Sequence, residues 1–393
     1  MLLASAWALD LDAARSRATE HAMDVARAEA DAAEARGNTW TSVSGALPNV
    51  QLFASASTGA GLTSFGFERP VSTQLGAGVT GTWTLLAPGR WAAADAARHS
   101  AKGSRALLDW ARVMARRDAT LAVADLWAAE IELEAWEAAA TDAEQAAQGV
   151  QSLVVSGLRP SADGARTRAT AAALRARAVE ARGLVAGRCA ALQALLRDPV
   201  SGTCELETPV VDAPREGEGE HPALTAAQEA LRAAKAARTG ALLDRTPVVT
   251  ATGTAAQYVA GSASGIGWSA GVDARLPVFS GGAGIGSTQV AAARRDDAEL
   301  ALEAQQLALE VADIATGARW EAATTGLAAL EESAQAAEEA LTLVDARYRE
   351  GLDGLEGWLA ARRARDEASV ALAQGRAEQL RALAERESVR GVW

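Results

Sequence analysis

The feature that most constrains this fold is a strand-like stretch that occurs twice and runs each time into the start of a long helix. In the second copy, residues 268–282, small or apolar side chains alternate with polar ones until Pro277 and the Gly281-Gly282 pair. The first copy, residues 79–90, alternates in the same way and ends at Pro88-Gly89. A period of two predicts a β-strand with two unlike faces. Equivalent positions of the two copies lie 193 residues apart, which indicates a duplicated chain.

Each predicted strand pair is followed by two long helical stretches that a tight Gly-Leu turn connects. The first helical hairpin is predicted at about 91–196 with its turn at 156–160, and the second at about 286–388 with its turn at 350–354. Hydrophobic residues make up 49% of the chain but aromatic residues only 4%, so much of the apolar content is alanine. Alanine favours long, closely packed helices. The predicted fold class is therefore mainly α with β, a duplicated repeat of helix, β-hairpin and long helical hairpin.

The domain boundaries follow from these signals. A helix precedes the strands in each repeat, and Gly37-Asn38 is expected to end the first one, which begins at Leu9. The prediction in chain order is a first repeat at 9–197 with strands at about 46–57 and 72–86, a Pro- and Gly-rich linker at 198–220, a second repeat at 221–388 with strands at about 247–255 and 267–279, and a tail at 389–393.

The start of the chain and its cysteines bear on the cellular compartment. Residues 1–8 are apolar and end in the small-x-small pattern of a signal-peptidase site, so we interpret them as a truncated signal peptide; an ordinary apolar helix start is the alternative. Cys189 and Cys204 have neither metal-binding nor redox spacing. In an exported chain they could form a disulfide that closes a short loop at the end of the first repeat.

Composition and motifs argue against several function classes. The formal net charge of −12 disfavours nucleic acid as a partner. His21, His99 and His221 stand alone, without a second histidine or a cysteine three or four residues away, so no metal site, cofactor or catalytic residue is predicted. The glycine-rich run at 281–286 lacks the Lys-Ser/Thr pair and the spacing of a phosphate loop.

The predicted strands suit a membrane. Each is about the length that crosses a bilayer, with an apolar and a polar face. Trp83 and Trp268 fit an interfacial aromatic belt, and Asp273 and Arg275 share the polar parity that would face a wet lumen. Because an open sheet edge leaves backbone groups unpaired in lipid, four strands cannot form a barrel alone. Several chains are therefore expected to pool their strands.

Motifs at the strand ends and turns resemble the outer membrane efflux protein (TolC) family. They are Leu47-Pro48-Asn49-Val50, the segment Leu276 to Gly282, and the turns Ser156-Gly157-Leu158 and Tyr348 to Leu352. The resemblance implies a homotrimer with a twelve-stranded barrel in outer-membrane lipid, continued by a long periplasmic α-helical barrel. It also implies a passive exit duct that docks to a periplasmic adaptor and, through it, to an inner-membrane transporter.

The resemblance assigns roles to the two turns. Gly157, Leu158, Gly351 and Leu352 would lie at the periplasmic tip that meets the adaptor. Family carboxylates that constrict the entrance correspond here to Gly357 and Ala360, so nearby acidic residues would have to replace them. Arg159 and Asp353 occupy equivalent places in the two repeats and are expected to form a latch. The residues predicted to gate or constrict the channel are Arg159, Asp163, Asp353 and Glu356.

A soluble periplasmic adaptor or coiled-coil scaffold is the alternative to a duct. Such a protein would also contain long, alanine-rich helical hairpins. It would not require the duplication or two strand pairs with an apolar face compatible with lipid.

Overall fold

The computed structural model of the chain describes residues 9–62, 68–217, 219–260, 263–279 and 281–392. The predicted signal peptide, residues 1–8, lies outside the described residues. The described residues form helices and strands in an order that repeats. The elements are α1 (Leu11–His21), α2 (Met23–Ser44), β1 (Asn49–Leu62), β2 (Glu68–Leu86), α3 (Pro88–Val155), α4 (Ser161–Leu195), α5 (Pro222–Leu243), β3 (Val248–Ala260), β4 (Ala263–Arg275), α6 (Ala283–Arg349) and α7 (Leu355–Val389).

The duplication is visible in this order. Helix α2, strands β1 and β2, and helices α3 and α4 are followed by the same succession from α5 to α7. The chain is mainly helical with one antiparallel sheet, as the sequence predicts. None of the helices built from the described residues holds an apolar stretch long enough to cross a membrane.

The N-terminal helical region differs from the prediction of one helix that ends at Gly37-Asn38. Ala22 adopts an extended backbone conformation and separates α1 from α2. Helix α2 then continues through Gly37 and Asn38 to Ser44, so the predicted stop is wrong. A glycine inside a helix costs only about 1 kcal/mol relative to alanine. Contacts made by the residues after Gly37 offset this cost. The Thr39 hydroxyl, for example, donates to the carbonyl of Ala97 in α3 at 3.1 Å.

Several strand ends differ from the prediction. Toward the loops the strands are longer than predicted, since β1 ends at Leu62, β2 begins at Glu68, β3 ends at Ala260 and β4 begins at Ala263, rather than at residues 57, 72, 255 and 267. Two other ends are shorter. β1 begins at Asn49 rather than at residue 46, and β4 ends at Arg275 rather than at residue 279. The last pair of the β3–β4 ladder joins Val248 and Arg275. Pro247 and Pro277 lie just beyond this pair and have no N–H to extend the ladder, which explains the earlier end.

One of two compact units contains the sheet and comprises residues 29–107 and 223–306. The strand order is β1-β2-β3-β4, with every neighbouring pair antiparallel. The hairpins of the two repeats therefore join through β2 and β3 into one sheet, and β1 and β4 are its edges.

The other unit is helical and comprises the described residues up to Ala28, Leu108–Pro222, and the chain from Leu307 onward. Its main core brings together α1, α3, α4 and α7, and Leu126, Leu192 and Leu380 are fully buried there. Cys189 lies in the same core and forms a disulfide with Cys204 of the linker, with 5.8 Å between their Cα atoms. The linker is thereby fixed to the end of α4.

Candidate channel wall and helical tip

The sheet has one apolar face. Residues that pair across strands share a face, so the register places Trp83, Ala251 and Val272 side by side. Trp268 pairs with Ala255 and lies on the same face. Large side chains on this face are exposed, and Leu52, Ile266 and Trp268 are each more than 80% accessible. A soluble monomer rarely exposes a contiguous apolar surface of this kind.

The opposite face of the sheet is polar. Asp273 pairs with Thr250 and Arg275 with Val248, so both predicted lumen residues lie on the face opposite Trp83 and Trp268. The hydroxyls of Thr80 and Thr254 lie 3.1 Å apart on this face. The alternation along each strand thus places apolar side chains on one face and polar side chains on the other. Such a sheet can contact lipid with the first face and water with the second.

Glycines on the polar face make room for Tyr258. A methyl group at Gly76 would lie 3.1 Å from the Tyr258 ring, and one at Gly267 would lie 3.4 Å from it. The aromatic ring therefore lies flat over the sheet, across two residues that have no side chain. This packing explains why glycine stands at these two positions of β2 and β4.

The two helical turns have the same backbone geometry. Gly157 and Gly351 have φ angles of 75° and 78°, a left-handed conformation that glycine adopts without steric cost. The amides of Leu158 and Leu352 each donate to the carbonyl five residues earlier at 2.9 Å. This bond is characteristic of a Schellman helix end. Both leucines are mostly exposed, and they present equivalent apolar side chains at the two turns.

The predicted gate residues have partners other than those expected. The Arg159 guanidinium lies 4.0 Å from Asp163, and its carbon lies 4.9 Å from the centre of the Tyr348 ring. Asp353 instead accepts a hydrogen bond from Arg347 at 2.8 Å. Within one chain, the expected latch between Arg159 and Asp353 is therefore wrong. Each side chain reaches a closer partner near its own turn.

A different ion pair connects the two hairpins. Glu356 of α7 accepts a hydrogen bond from Arg166 of α4 at 2.8 Å, across 190 positions of sequence. Farther along α7, Arg381 donates to Asp125 of α3 at 2.7 Å, and the same carboxylate lies 2.9 Å from Arg188. Sequence reasoning missed these pairs because its candidates were restricted to the turns, whereas the contacts depend on which helix faces pack together.

Trp358 anchors the second turn. Its ring stacks on Tyr348 with 4.9 Å between ring centres, and its indole N–H donates to Asp345 at 2.9 Å. It is buried together with Val150 and Leu355. The start of α7 is therefore held against both α6 and α3.

His99 has partners that its sequence neighbourhood did not reveal. Its Nδ1 lies 2.6 Å from Glu229 of α5, a buried carboxylate that also accepts a hydrogen bond from Arg232. Burial acts to raise the pKa of Glu229, but the hydrogen bonds from His99 and Arg232 outweigh it and lower this pKa below its usual value. No cluster of three metal-ligating side chains occurs among the described residues.

Solved outer-membrane channels share this fold. The CmeC outer membrane channel of Campylobacter jejuni matches with a TM-score of 0.88 and 16% identity, over 97% of this chain and 85% of its own. VceC of Vibrio cholerae matches with a TM-score of 0.86 and 20% identity, over 97% and 96%. The open-state MtrE channel of Neisseria gonorrhoeae matches with a TM-score of 0.85 and 20% identity, over 97% and 89%. The fold is that of an outer-membrane channel protomer.

The family model for outer membrane efflux proteins matches residues 14–196 and 214–387, one segment in each repeat. The chain belongs to the outer membrane efflux protein family. Membership places it in the outer membrane, with a periplasmic helical extension. No curated protein sequence matches the chain significantly.

Proposed function

We propose that three copies of this chain form an outer-membrane exit duct of a tripartite efflux or type I secretion system. The duct is passive and has no catalytic activity. An inner-membrane transporter supplies the energy and, through a periplasmic adaptor, delivers small molecules or proteins to it. The observation that carries the proposal is the four-stranded sheet, which has two open edges and one exposed apolar face.

The open edges favour an oligomer. Backbone N–H and C=O groups that face lipid without partners cost several kcal/mol each. Pairing β4 of one copy with β1 of the next satisfies both edges, and three copies supply twelve strands. The apolar face then contacts lipid, with Trp83 and Trp268 near its interfaces. Asp273 and Arg275 then line the lumen, where water solvates their charges.

Helix α6 supports the same assembly. Leu300, Leu307, Val311 and Ile314 are exposed in the single chain, with 56–69% of each residue accessible. Their spacing of seven, four and three residues places them in one stripe along the helix. A neighbouring copy of the chain is the partner that would bury this stripe in a helical tunnel.

We assign the two turns to the periplasmic tip. Gly157 and Gly351 set the backbone there, and the exposed Leu158 and Leu352 offer apolar contacts to an adaptor. The surrounding charged residues Arg159, Asp163, Asp353 and Glu356 form the proposed gate, in which the pair Arg166–Glu356 replaces the latch expected from sequence.

Matched charge substitutions on the two sheet faces test this assignment. Val272→Asp places a carboxylate on the apolar face, whereas Thr252→Asp places one on the polar face of the neighbouring strand. We expect Val272→Asp to abolish the outer-membrane trimer and Thr252→Asp to preserve it, as measured by native mass spectrometry of detergent-extracted membranes. A wild-type chain that is monomeric and soluble without detergent would instead support the periplasmic scaffold.

A further inference from the structure

A cavity of about 300 Å³ lies between α3, α4 and α7 in the helical unit. Its floor is apolar, formed by Trp136, Ala139, Ala143, Leu174 and Leu359. The space exists because α3 presents alanines where larger side chains would fill it. A volume of this size is at the lower end of those that hold small organic ligands.

Arginines dominate the charge of the cavity. Arg177, Arg362 and Arg363 line it, against the two acidic residues Asp366 and Glu367. Arg177 and Arg363 are exposed and therefore lie toward solvent, whereas Trp136, Ala139 and Ala143 of the floor are buried. The cavity thus combines an apolar interior with a cationic opening.

One of the lining arginines has an unused hydrogen-bond donor. Arg177 lies over the Trp136 ring at 4.8 Å and Arg362 over the Trp358 ring at 4.5 Å, so both guanidiniums are oriented by aromatic faces. The Nε of Arg362 is buried and has no hydrogen-bond partner among the described residues. A donor left in this state favours a ligand that brings an acceptor.

The two acidic lining residues do not cancel this preference, since Glu367 is exposed to solvent and Asp366 has a cationic neighbour. Asp366 is buried, and its carboxylate lies 3.0 Å from the Nε of Arg365. Arg365 itself does not line the cavity. Burial raises the pKa of Asp366 above its usual value, against the opposing effect of Arg365 and Arg362. The nearby Arg365 guanidinium partly offsets the charge of this carboxylate, which reduces the negative potential that an incoming anion meets.

From this geometry we infer that the cavity binds a small amphiphilic anion, such as a carboxylate or sulfonate attached to a compact apolar body. The apolar body occupies the space beside Trp136 and Ala143, and the acidic group lies among Arg177, Arg362 and Arg363. A ligand placed there contacts both helical hairpins at once. This inference concerns binding alone and is independent of whether the assembled protein transports anything.

A pair of fluorescent probes with nearly the same ring system tests the inference. 8-Anilinonaphthalene-1-sulfonate carries a sulfonate, and N-phenyl-1-naphthylamine lacks it. The full-length protein in amphipol, free of detergent that could compete, is titrated with each probe. We expect the sulfonate to bind at least tenfold more tightly than the neutral probe. Equal affinities would overturn the inference.

Substitutions locate the binding site. Ala143→Leu fills the cavity and should weaken sulfonate binding at least tenfold, whereas Ala328→Leu, at an exposed position of α6, should leave it unchanged. Arg363→Gln changes an exposed side chain without affecting the core and should weaken sulfonate binding several-fold but leave binding of the neutral probe unchanged. Sulfonate binding that is unaffected by both Ala143→Leu and Arg363→Gln would show that the probe binds other apolar surfaces, and would refute the site.

Discussion

Helices α3 and α6 occupy equivalent places in the two repeats and have 68 and 67 residues, yet the chain buries them very differently. Along α3, valines, tryptophans, a leucine and many alanines are buried. Along α6, Leu341 alone is buried among the described residues, and a stripe of large apolar side chains is exposed. The duplication has conserved length and backbone pattern but not the packing environment.

This difference indicates which helix completes the protomer and which one awaits a partner. α3 packs against α1, α4 and α7 in the core, so a single chain already satisfies its apolar face. The stripe at Leu300, Leu307, Val311 and Ile314 has the same periodicity but no such cover. In our proposal the stripe becomes buried only when copies assemble.

The largest expected effect comes from breaking the exposed stripe. The double variant Leu307→Glu/Val311→Glu should abolish the trimer, because each buried aliphatic side chain contributes about 1.5–3 kcal/mol and a buried, unpaired carboxylate adds a further cost. Ala301→Glu/Ala308→Glu introduces the same charges at exposed positions outside the stripe. Native mass spectrometry should find trimers only for the control variant. Trimers of both variants would show that the stripe is not an interface.

The next effect concerns the disulfide, which the second repeat lacks. Cys189 and Cys204 are the only cysteines of the chain, and they join the end of the first repeat to the linker. Closing a loop of 15 residues contributes about 3 kcal/mol in the chain-entropy model. The variant Cys189→Ala/Cys204→Ala should therefore unfold at a lower temperature than the wild type in circular dichroism. Reductant should lower the unfolding temperature of the wild type but not of the variant. Equal unfolding temperatures of the wild type and the variant would show that the disulfide adds no stability.

A smaller effect tests whether the two turns are equivalent. Gly157→Ala and Gly351→Ala each place a side chain at a positive φ, which costs about 1–2 kcal/mol. Both should destabilise the protein by a similar amount in chemical denaturation. Gly149→Ala serves as the control, since this exposed position in α3 has open space around the new methyl group and should gain stability. Unequal losses at the two turns would mean that their surroundings, rather than the shared backbone, determine the cost.

The smallest expected effect concerns pH and the packing of α3 against α5. The pKa of Glu229 is lowered in the folded state, so its contribution to stability is present above the ordinary carboxylate pKa and is lost as the pH falls through the lowered value. In Glu229→Gln this acid-dependent part should disappear. When the pH is lowered from 7 to 3, the free energy of unfolding should therefore decrease less steeply for the variant than for the wild type. Parallel curves would contradict the assignment.

Sequence reasoning predicted the elements that depend on local patterns. The two-residue alternation identified all four strands and their faces, and the Gly-Leu pairs identified both turns because a left-handed residue there requires glycine. It failed at Ala22, where an ordinary helix-forming residue interrupts the helix, and at Gly37, which stays helical. These outcomes depend on tertiary contacts that no local pattern encodes.

The lumen and gate residues were less predictable than the helices and strands, because their partners depend on tertiary contacts. Asp273 and Arg275 could be placed on the polar face because parity alone decides it. The partner of Glu356 could not be predicted, since side chains 190 positions apart meet only after α4 and α7 have packed together. Arg159 and Asp353 pair with charged residues near their own turns, and sequence alone does not decide which neighbour each side chain reaches. Charged residues near a turn can thus be located by sequence, but their pairing cannot.

Single-channel conductance in a planar bilayer tests the central claim most directly, when recorded beside the oligomeric mass of the same preparation. The account predicts a trimer with a small, steady conductance that rises in the variants Glu356→Gln and Asp353→Asn, which weaken the contacts at the helical tip. A monomer that stays soluble without detergent and produces no conductance would contradict it.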